Sequence, residues 1–266
     1  MNVPVLQDSE FALFQKMIYD IAGISMSEAK KALVGGRLAK RVKHYDLPSY
    51  RDYFEMLKAK GSTELQVAVD LLTTNETFFF REPKHFDFLR NEILPDWLYG
   101  THRVWSAACS SGEEAYTLAM VMAAHCPTDA WEVVATDIST RVLERARSGH
   151  YAIERARHIP KAYLNEYCLK GTGRQEGTFI MTQGMRRRVD FRHANLTADL
   201  SQLGHFDVIF LRNVLIYFDL ETKRRVVMRL LRQLKPGGHL LVGHSESLNG
   251  VVDGLKVVVP SVYCRT

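Results

Sequence analysis

Two adjacent carboxylates, Glu113 and Glu114, follow a turn of small residues in Val104-Trp-Ser-Ala-Ala-Cys-Ser-Ser-Gly-Glu-Glu-Ala-Tyr-Thr-Leu-Ala119. The stretch reads as a buried strand, a tight turn and a helix whose first turn is acidic. Further on, Val133-Val-Ala-Thr-Asp137 reads as a second apolar strand ending in an acid. Strand, small turn, helix and a second strand with a terminal acid is how α/β folds hold a nucleoside: backbone approaches the ligand at the turn, and the acid accepts from the ribose hydroxyls. No G-x-G-x-x-G is present, and two carboxylates at a helix N-terminus repel a pyrophosphate. They suit a ligand carrying ammonium and sulfonium charges, which points to S-adenosylmethionine. An ordinary βαβ core with a polar turn fits this stretch equally well.

A second signal lies late in the chain. Phe206-Asp-Val-Ile-Phe-Leu211 is an apolar strand, followed by a polar loop, a helix, and Leu234-Lys-Pro-Gly-Gly-His-Leu-Leu-Val-Gly243. Alone, the Lys-Pro-Gly-Gly turn is ordinary helix-end chemistry. In this position it resembles class I S-adenosylmethionine-dependent methyltransferases. The loop Arg212-Asn-Val-Leu-Ile-Tyr217 has neither the Pro-Pro of amine-directed nucleic-acid enzymes nor a Pro-Cys nucleophile. It offers no device for activating a poor nucleophile. That suits a substrate already ionised at neutral pH, such as a glutamate carboxylate, for which the task is desolvation and in-line alignment.

The elements that must position these groups follow from periodicity. Residues 1 to about 85 read as helical, with Phe11, Phe14, Ile18 and Ile21 at helical spacing and Ser27 as the N-cap of a helix reaching about Tyr45. From Arg103 strands and helices alternate: strands at Val104–Ala107, Val133–Thr136, Val189–Arg192, Phe206–Leu211 and Leu240–Gly243, helices near 113–125, 139–147 and 221–234, and a terminal hairpin around Pro260. The pattern predicts a doubly wound, mostly parallel sheet with one antiparallel edge. Leu169 to Thr182, rich in glycine and then alternating, reads as a small β-hairpin insert, with a plain surface loop as the alternative.

One helix carries a charge bias. Residues 29 to 45 hold Lys30, Lys31, Arg37, Lys40, Arg41 and Lys43 with no acid. Lys30, Arg37, Arg41 and His44 fall within roughly 60° on a helical wheel, beside an apolar stripe of Val34, Leu38 and Val42. Either this is a solvated amphipathic helix or it docks an acidic surface; no aromatics interleave with the cations, which disfavours single-stranded nucleic acid.

In 266 residues the net charge is +5, and the four cysteines (Cys109, Cys126, Cys168, Cys264) form no C-x-x-C. Their spacing reads as reduced thiols without a metal. No apolar run approaches the ~20 residues needed to span a membrane, and no export signal is visible. We therefore expect a cytoplasmic protein without direct membrane insertion.

Several segments together resemble the CheR family of chemotaxis receptor methyltransferases, protein-glutamate O-methyltransferases. They are Thr74-Asn-Glu-Thr-Phe-Phe-Phe-Arg-Glu82, Ser106-Ala-Ala-Cys-Ser-Ser-Gly-Glu-Glu114, Ala135-Thr-Asp-Ile138, Arg145-Ala-Arg-Ser-Gly149, Phe210-Leu-Arg-Asn-Val-Leu-Ile-Tyr-Phe218 and Gly243-His-Ser-Glu246. The resemblance implies a helical receptor-docking domain with linker over residues 1–85. It implies a class I methyltransferase domain with a seven-stranded sheet over 86–266, interrupted by a β-subdomain at about 168–188. It implies S-adenosylmethionine as cofactor and S-adenosylhomocysteine as product, touched by Asn75, Thr77 and Arg81 from the linker. Glu113 would lie at the methionine end, Asp137 on the ribose, Asn195 and Leu196 at the adenine, and Arg212 and Asn213 would close the pocket.

We further expect Arg81, Arg212 and Tyr217 to guide the glutamate carboxylate, since arginine binds carboxylates bidentately. The resemblance also gives partners. Lys30, Arg37, Lys40 and Arg41 would dock the cytoplasmic helices of chemoreceptors, at membrane-bound receptor arrays. Gly171, Gly173 and Gly177, with Arg187 nearby, would mark a tether for a receptor's C-terminal pentapeptide. A monomer that binds no nucleic acid is expected. Cys109, in the cofactor turn, is expected to pack without catalysing.

Overall fold

A computed structural model describes residues 4–59 and 62–266. The N-terminal helices form where apolar residues recur three and four apart. α1 (Asp8–Ala22) buries Phe11, Phe14, Ile18 and Ala22. It opens on a capping box in which the Gln7 N–H donates to Glu10 Oε2 at 2.8 Å, which satisfies otherwise orphaned donors. α2 (Lys31–His44) buries Val34, Leu38 and Val42, the predicted stripe. A short 3₁₀ turn, Glu28–Lys30, precedes it; Ser27 makes no side-chain capping bond, so the α-helix starts later than its sequence suggests. α3 (Tyr50–Leu57) is capped by Ser49 Oγ, which accepts from the Asp52 N–H at 3.1 Å, and α4 (Thr63–Leu72) completes the domain. The four helices share one core.

After the linker, α5 (Lys84–Phe88) runs through a π turn and a 3₁₀ turn to Asp96. Then come β1 (His102–Ala107), α6 (Glu113–His125), β2 (Trp131–Asp137), α7 (Thr140–Ser148), β3 (His150–Ala152), α8 (Lys161–Tyr167), β4 (Cys168–Lys170), β5 (Thr178–Met181) and α9 (Gln183–Arg187). The chain ends with β6 (Val189–His193), β7 (Phe206–Leu211), α10 (Leu220–Gln233), β8 (Leu234–Val242), β9 (Leu255–Val259) and β10 (Val262–Arg265). The main sheet has seven strands in the order β6-β2-β1-β7-β8-β10-β9. β1 pairs parallel with both β2 and β7, β2 with β6, and β7 with β8, while β10 is antiparallel to its two neighbours. The central strands are apolar on both faces, as a sheet covered on both sides requires. Strand order runs outward in opposite directions from β1 and β7, so a crevice opens at their carboxyl ends.

The insert is more than a hairpin. β3, β5 and β4 form a three-stranded antiparallel sheet, with Tyr151 opposite Phe179 and Cys168 opposite Met181. Only β4 and β5 lie within the expected 168–188. β3 joins from upstream of α8, and residues 183–187 turn into α9. A three-residue strand is too short to show alternation, which is why β3 escapes a reading by period.

The helical domain rests on the sheet domain through specific bonds. Tyr19 Oη donates to Asp219 Oδ2 at 2.7 Å and the Ser25 N–H donates to the Tyr217 carbonyl at 2.8 Å. Asn195 Nδ2 donates to the Ile21 carbonyl at 2.6 Å. Gly23, left-handed at φ 71°, ends α1 at this seam; a Cβ there would meet Thr222 Cγ2 at 2.5 Å. Among the described residues no helix is long and apolar enough to cross a membrane.

Candidate cofactor and substrate cleft

The turn after β1 is left-handed three times, at Ala108 (φ 64°), Ser110 (φ 52°) and Gly112 (φ 93°). Non-glycine residues resist that region, so surrounding bonds must impose it. The Cys109 N–H donates to the Thr136 carbonyl and the Ser110 N–H to Asp137 Oδ2, both at 2.8 Å. Gly112 could carry no side chain, since a Cβ would lie 2.8 Å from that of Ala146. The turn thereby stays thin beside the cleft.

Asp137 sits at the end of β2, 4% exposed, lining the cleft. Its Oδ1 accepts from the Ser139 N–H at 2.9 Å, and Oδ2 from Ser110. Burial pushes its carboxyl up, opposed by these N–H groups. Each oxygen keeps a second lone pair, so the carboxylate is oriented and still able to accept from a diol. Leu196 and Ala194 give this end an apolar wall. The expected cofactor fits: a fixed acid, an apolar flank and no cradle for phosphates.

The linker forms one side of the cleft. Ser110 Oγ donates to the Asn75 carbonyl at 2.9 Å, and Thr73 Oγ1 donates to Asn75 Oδ1 at 3.2 Å. The Phe80 N–H donates to Thr117 Oγ1 at 3.2 Å. Phe79 is fully buried against the rings of Tyr151 and Phe179. Arg81 is half-buried; it donates to the Glu76 carbonyl at 2.9 Å, and its guanidinium lies 5.8 Å from the centre of the Phe78 ring. It makes no ion pair among the described residues, so it can receive a carboxylate.

Arg212 is placed otherwise. Its side chain is 2% exposed and bridges Glu114 Oε2 at 2.9 Å and Glu82 Oε2 at 3.0 Å, and it also donates to the Arg81 carbonyl. Asn213, left-handed at φ 57°, donates from Nδ2 to Glu82 Oε1 at 3.1 Å, while its N–H donates to Glu246 Oε2 at 2.8 Å. Burial raises the Glu82 carboxyl, but Arg212 and Asn213 more than offset it and hold it below the usual range. Glu82 and Glu246, within the motifs but without an assigned role, are what lock this loop. Glu82 also lies within 4.8 Å of His85 and His244, a geometry that can hold a metal ion, although its oxygens are already engaged by Arg212, Asn213 and the His244 N–H.

The two carboxylates that opened α6 part company. Glu114 lines the cleft, accepting from Ser106 Oγ at 2.7 Å as well as from Arg212. Glu113 is fully buried on the other side, bonded to Ser111 Oγ at 2.7 Å and ion-paired with Arg155 of the insert side. Arg155 also donates to the Thr77 carbonyl at 3.2 Å. Thr77 lines the cleft, but Glu113 does not.

Asn195 lines the cleft with its amide committed: besides the bond to Ile21, Oδ1 accepts from the Thr197 N–H at 2.9 Å. Tyr217 lines the mouth, with Lys30 and Arg37. The basic residues of α2 and of the turn before it are divided. Lys30 and Lys40 are exposed. Arg37 donates to the Leu72 and Thr73 carbonyls at 3.2 and 3.1 Å, and Arg41 grips buried Glu64 through Nε at 2.7 Å and Nη2 at 2.6 Å. Cys109 is buried, and burial pushes its thiol well above the usual range, as a packing role requires. Gly171, Gly173 and Gly177 lie in the loop joining β4 to β5, beside a shallow depression bordered by His150, Leu169, Lys170, Ile180 and Arg186. Arg187 is exposed on α9.

Two family models cover nearly all of the chain: the CheR methyltransferase all-alpha domain matches residues 9–73, and the CheR methyltransferase SAM binding domain matches 75–264. The chemotaxis protein methyltransferase of Escherichia coli is 40% identical over 248 residues, covering 92% of this chain and 86% of that protein. The Salmonella typhimurium protein of the same name is 38% identical, covering 97% and 90%, and the Borreliella burgdorferi one 35% identical, covering 99% and 96%. With S-adenosylmethionine as its cofactor and the sheet order described above, the chain belongs to the CheR family of chemotaxis methyltransferases.

Proposed function

We propose that the cleft esterifies specific glutamate side chains of chemoreceptor cytoplasmic helices, giving glutamate methyl esters and S-adenosylhomocysteine, the covalent step of sensory adaptation. The observation that carries this reading is that the cleft is cationic at its mouth and offers no base within. Among the described residues no histidine lines it; its carboxylates Glu114 and Asp137 are engaged by Arg212, Ser106 and backbone N–H groups. Glu76 stands exposed on the rim. A carboxylate needs no deprotonation, so such a cleft suits it and disfavours amines, thiols and alcohols.

The cofactor supplies the methyl group from its sulfonium. Asp137 holds the ribose, Leu196 flanks the adenine, and Asn75 and Thr77 line the side. Arg81 receives the glutamate carboxylate, with Tyr217 opposite. Arg212 acts from below, by holding Glu82 and Glu114. Asn213 and Asn195 shape the loops, and Glu113 supports the helix start from its buried side. Lys30 and Lys40, with what Arg37 and Arg41 leave exposed, attract the receptor helix. β3 and β4 are both free edges of the insert, and a receptor's C-terminal peptide adds to one of them as a strand, with Lys170 and Arg186 beside its carboxylate. The working unit is a monomer recruited to receptor arrays in the cytoplasm.

Labelled methyl transfer to a receptor cytoplasmic fragment tests this. Label should appear with Glu at the acceptor sites, leave as methanol in mild base, and be absent with Gln. Base-stable label, or equal labelling of the Gln fragment, refutes glutamate esterification.

A further inference from the structure

Between the receptor-facing helices and the nucleoside end of the cleft stands one buried acid that the reaction does not use. Asp70, near the end of α4, is 6% exposed. Its Oδ1 accepts from the Thr140 N–H at 3.0 Å, and its Oδ2 from Thr140 Oγ1 at 2.9 Å and the Arg141 N–H at 3.1 Å. Its carbonyl accepts from Arg141 Nη2 at 3.2 Å. Asp70 thus caps α7 from another domain. The local cap, Ser139 Oγ, reaches the Val142 N–H at only 3.5 Å, so the first-turn donors depend on the visiting carboxylate, which the helix dipole also favours.

What Asp70 holds adjoins the cofactor site. Asp137 is the last residue of β2, Ile138 lines the cleft, and α7 starts at Thr140. Gln66, one turn before Asp70, donates from Nε2 to Asp70 Oδ1 at 2.8 Å and to the Ile138 carbonyl at 2.9 Å. Ile138 also packs on the core of the helical domain. The segment from 138 to 141 is therefore fixed from outside the sheet domain, and the aim of Asp137 depends on it through its bond to the Ser139 N–H.

We propose that Asp70 is a positioning residue for the nucleoside end of the cleft, setting cofactor affinity through α7 and the 138–141 segment while leaving methyl transfer itself untouched. This rests on the reading that Asp137 holds the ribose.

The test is calorimetric binding of S-adenosylhomocysteine to the full chain, with steady-state kinetics on a receptor fragment. Asp70→Ala should raise Kd and the KM for S-adenosylmethionine about tenfold, the order expected when a buried charged acceptor is removed, with kcat at saturation within about twofold of the parent. Asp70→Asn, which keeps one acceptor, should recover part of the affinity. Tyr19→Phe, which removes an interdomain bond elsewhere, should leave Kd unchanged. If Asp70→Ala does not fold, Asp70→Asn and Gln66→Leu carry the test, each with a Kd raised several-fold. A lowered melting temperature with unchanged Kd, or a fall in kcat at constant KM, overturns the proposal. Asp137→Ala is run alongside. If it binds normally, the ribose reading and this one both fall; if it alone loses binding, only Asp70's role falls.

Discussion

The two ends of the cleft are built on opposite principles. At the end we propose for the nucleoside the polar groups are buried and bonded: Asp137 to backbone N–H groups, Asn195 to Ile21 and Thr197, Ser110 to Asn75. At the mouth, Lys30 is exposed, and Arg81 and Tyr217 are half-buried, with Arg81 held by one carbonyl and a ring face. Between them lies the Arg212 knot, one buried guanidinium shared by two carboxylates. A site that must recognise one fixed cofactor can be bonded into shape in advance. A site that must accept side chains from a large partner keeps its cations available until the partner arrives.

That contrast can be broken by substitution, and the knot should respond most. Arg212→Ala removes the buried cation that Glu82 and Glu114 share, and breaking such a pair costs about 3–5 kcal/mol, a drop in melting temperature on the order of 10 °C. A variant that melts normally and loses only receptor turnover would move Arg212 to the mouth. Asp137→Ala should come next, with S-adenosylhomocysteine affinity down by about 100-fold, or about 2.7 kcal/mol, in calorimetry. Arg81→Ala should lower kcat/KM for the receptor fragment by about 10- to 100-fold, with melting unchanged; Arg81→Lys should recover only part, because the fork is lost. An equal loss of cofactor affinity would place Arg81 at the other end.

The smallest effects should divide α2. Arg41→Ala should cost about 1–3 kcal/mol at neutral pH by leaving buried Glu64 short of a charged donor. Burial pushes the Glu64 carboxyl up, but bonds from Arg41, Tyr53 and Tyr45 outweigh that and hold it below its usual value of 4.5. Its contribution is therefore complete above that value and lost as pH falls through the lowered one. In acid melts the gap between Arg41→Ala and the parent should shrink accordingly. Lys40→Glu should leave melting alone and weaken receptor binding several-fold, less so in high salt. If Lys40→Glu instead unfolds the domain and Arg41→Ala does not, the division of this helix is wrong.

Much of this architecture is legible in the sequence because its signals are local. Val104–Ala107, Val133–Thr136 and Phe206–Leu211 are apolar runs of strand length, and the acid at the end of the second, Asp137, stands where the crevice opens. The terminal hairpin and α2's apolar stripe follow from period and turn chemistry. Illegible were facts that depend on which way a side chain points once elements have packed. Glu113 and Glu114 are neighbours in sequence, yet about 100° apart on a helix, and only the docking of α6 decides which meets the cleft. Arg37 and Arg41 share a helical-wheel face with exposed Lys30, but they find the Leu72 and Thr73 carbonyls and Glu64. Arg212 lines the cleft, but that its guanidinium is held by Glu82, far off in the chain, shows only in the fold.

Gly23 occupies the seam where α1 ends against Thr222 of α10, with room for no side chain. A methyl group there would act as a wedge, levering the helical domain off the sheet at the level of Ile21, Asn195 and Tyr217. The injury would come without removing any group that touches cofactor or receptor. An alanine at this seam would thus disturb the wall the two domains share through steric pressure and a strained backbone alone.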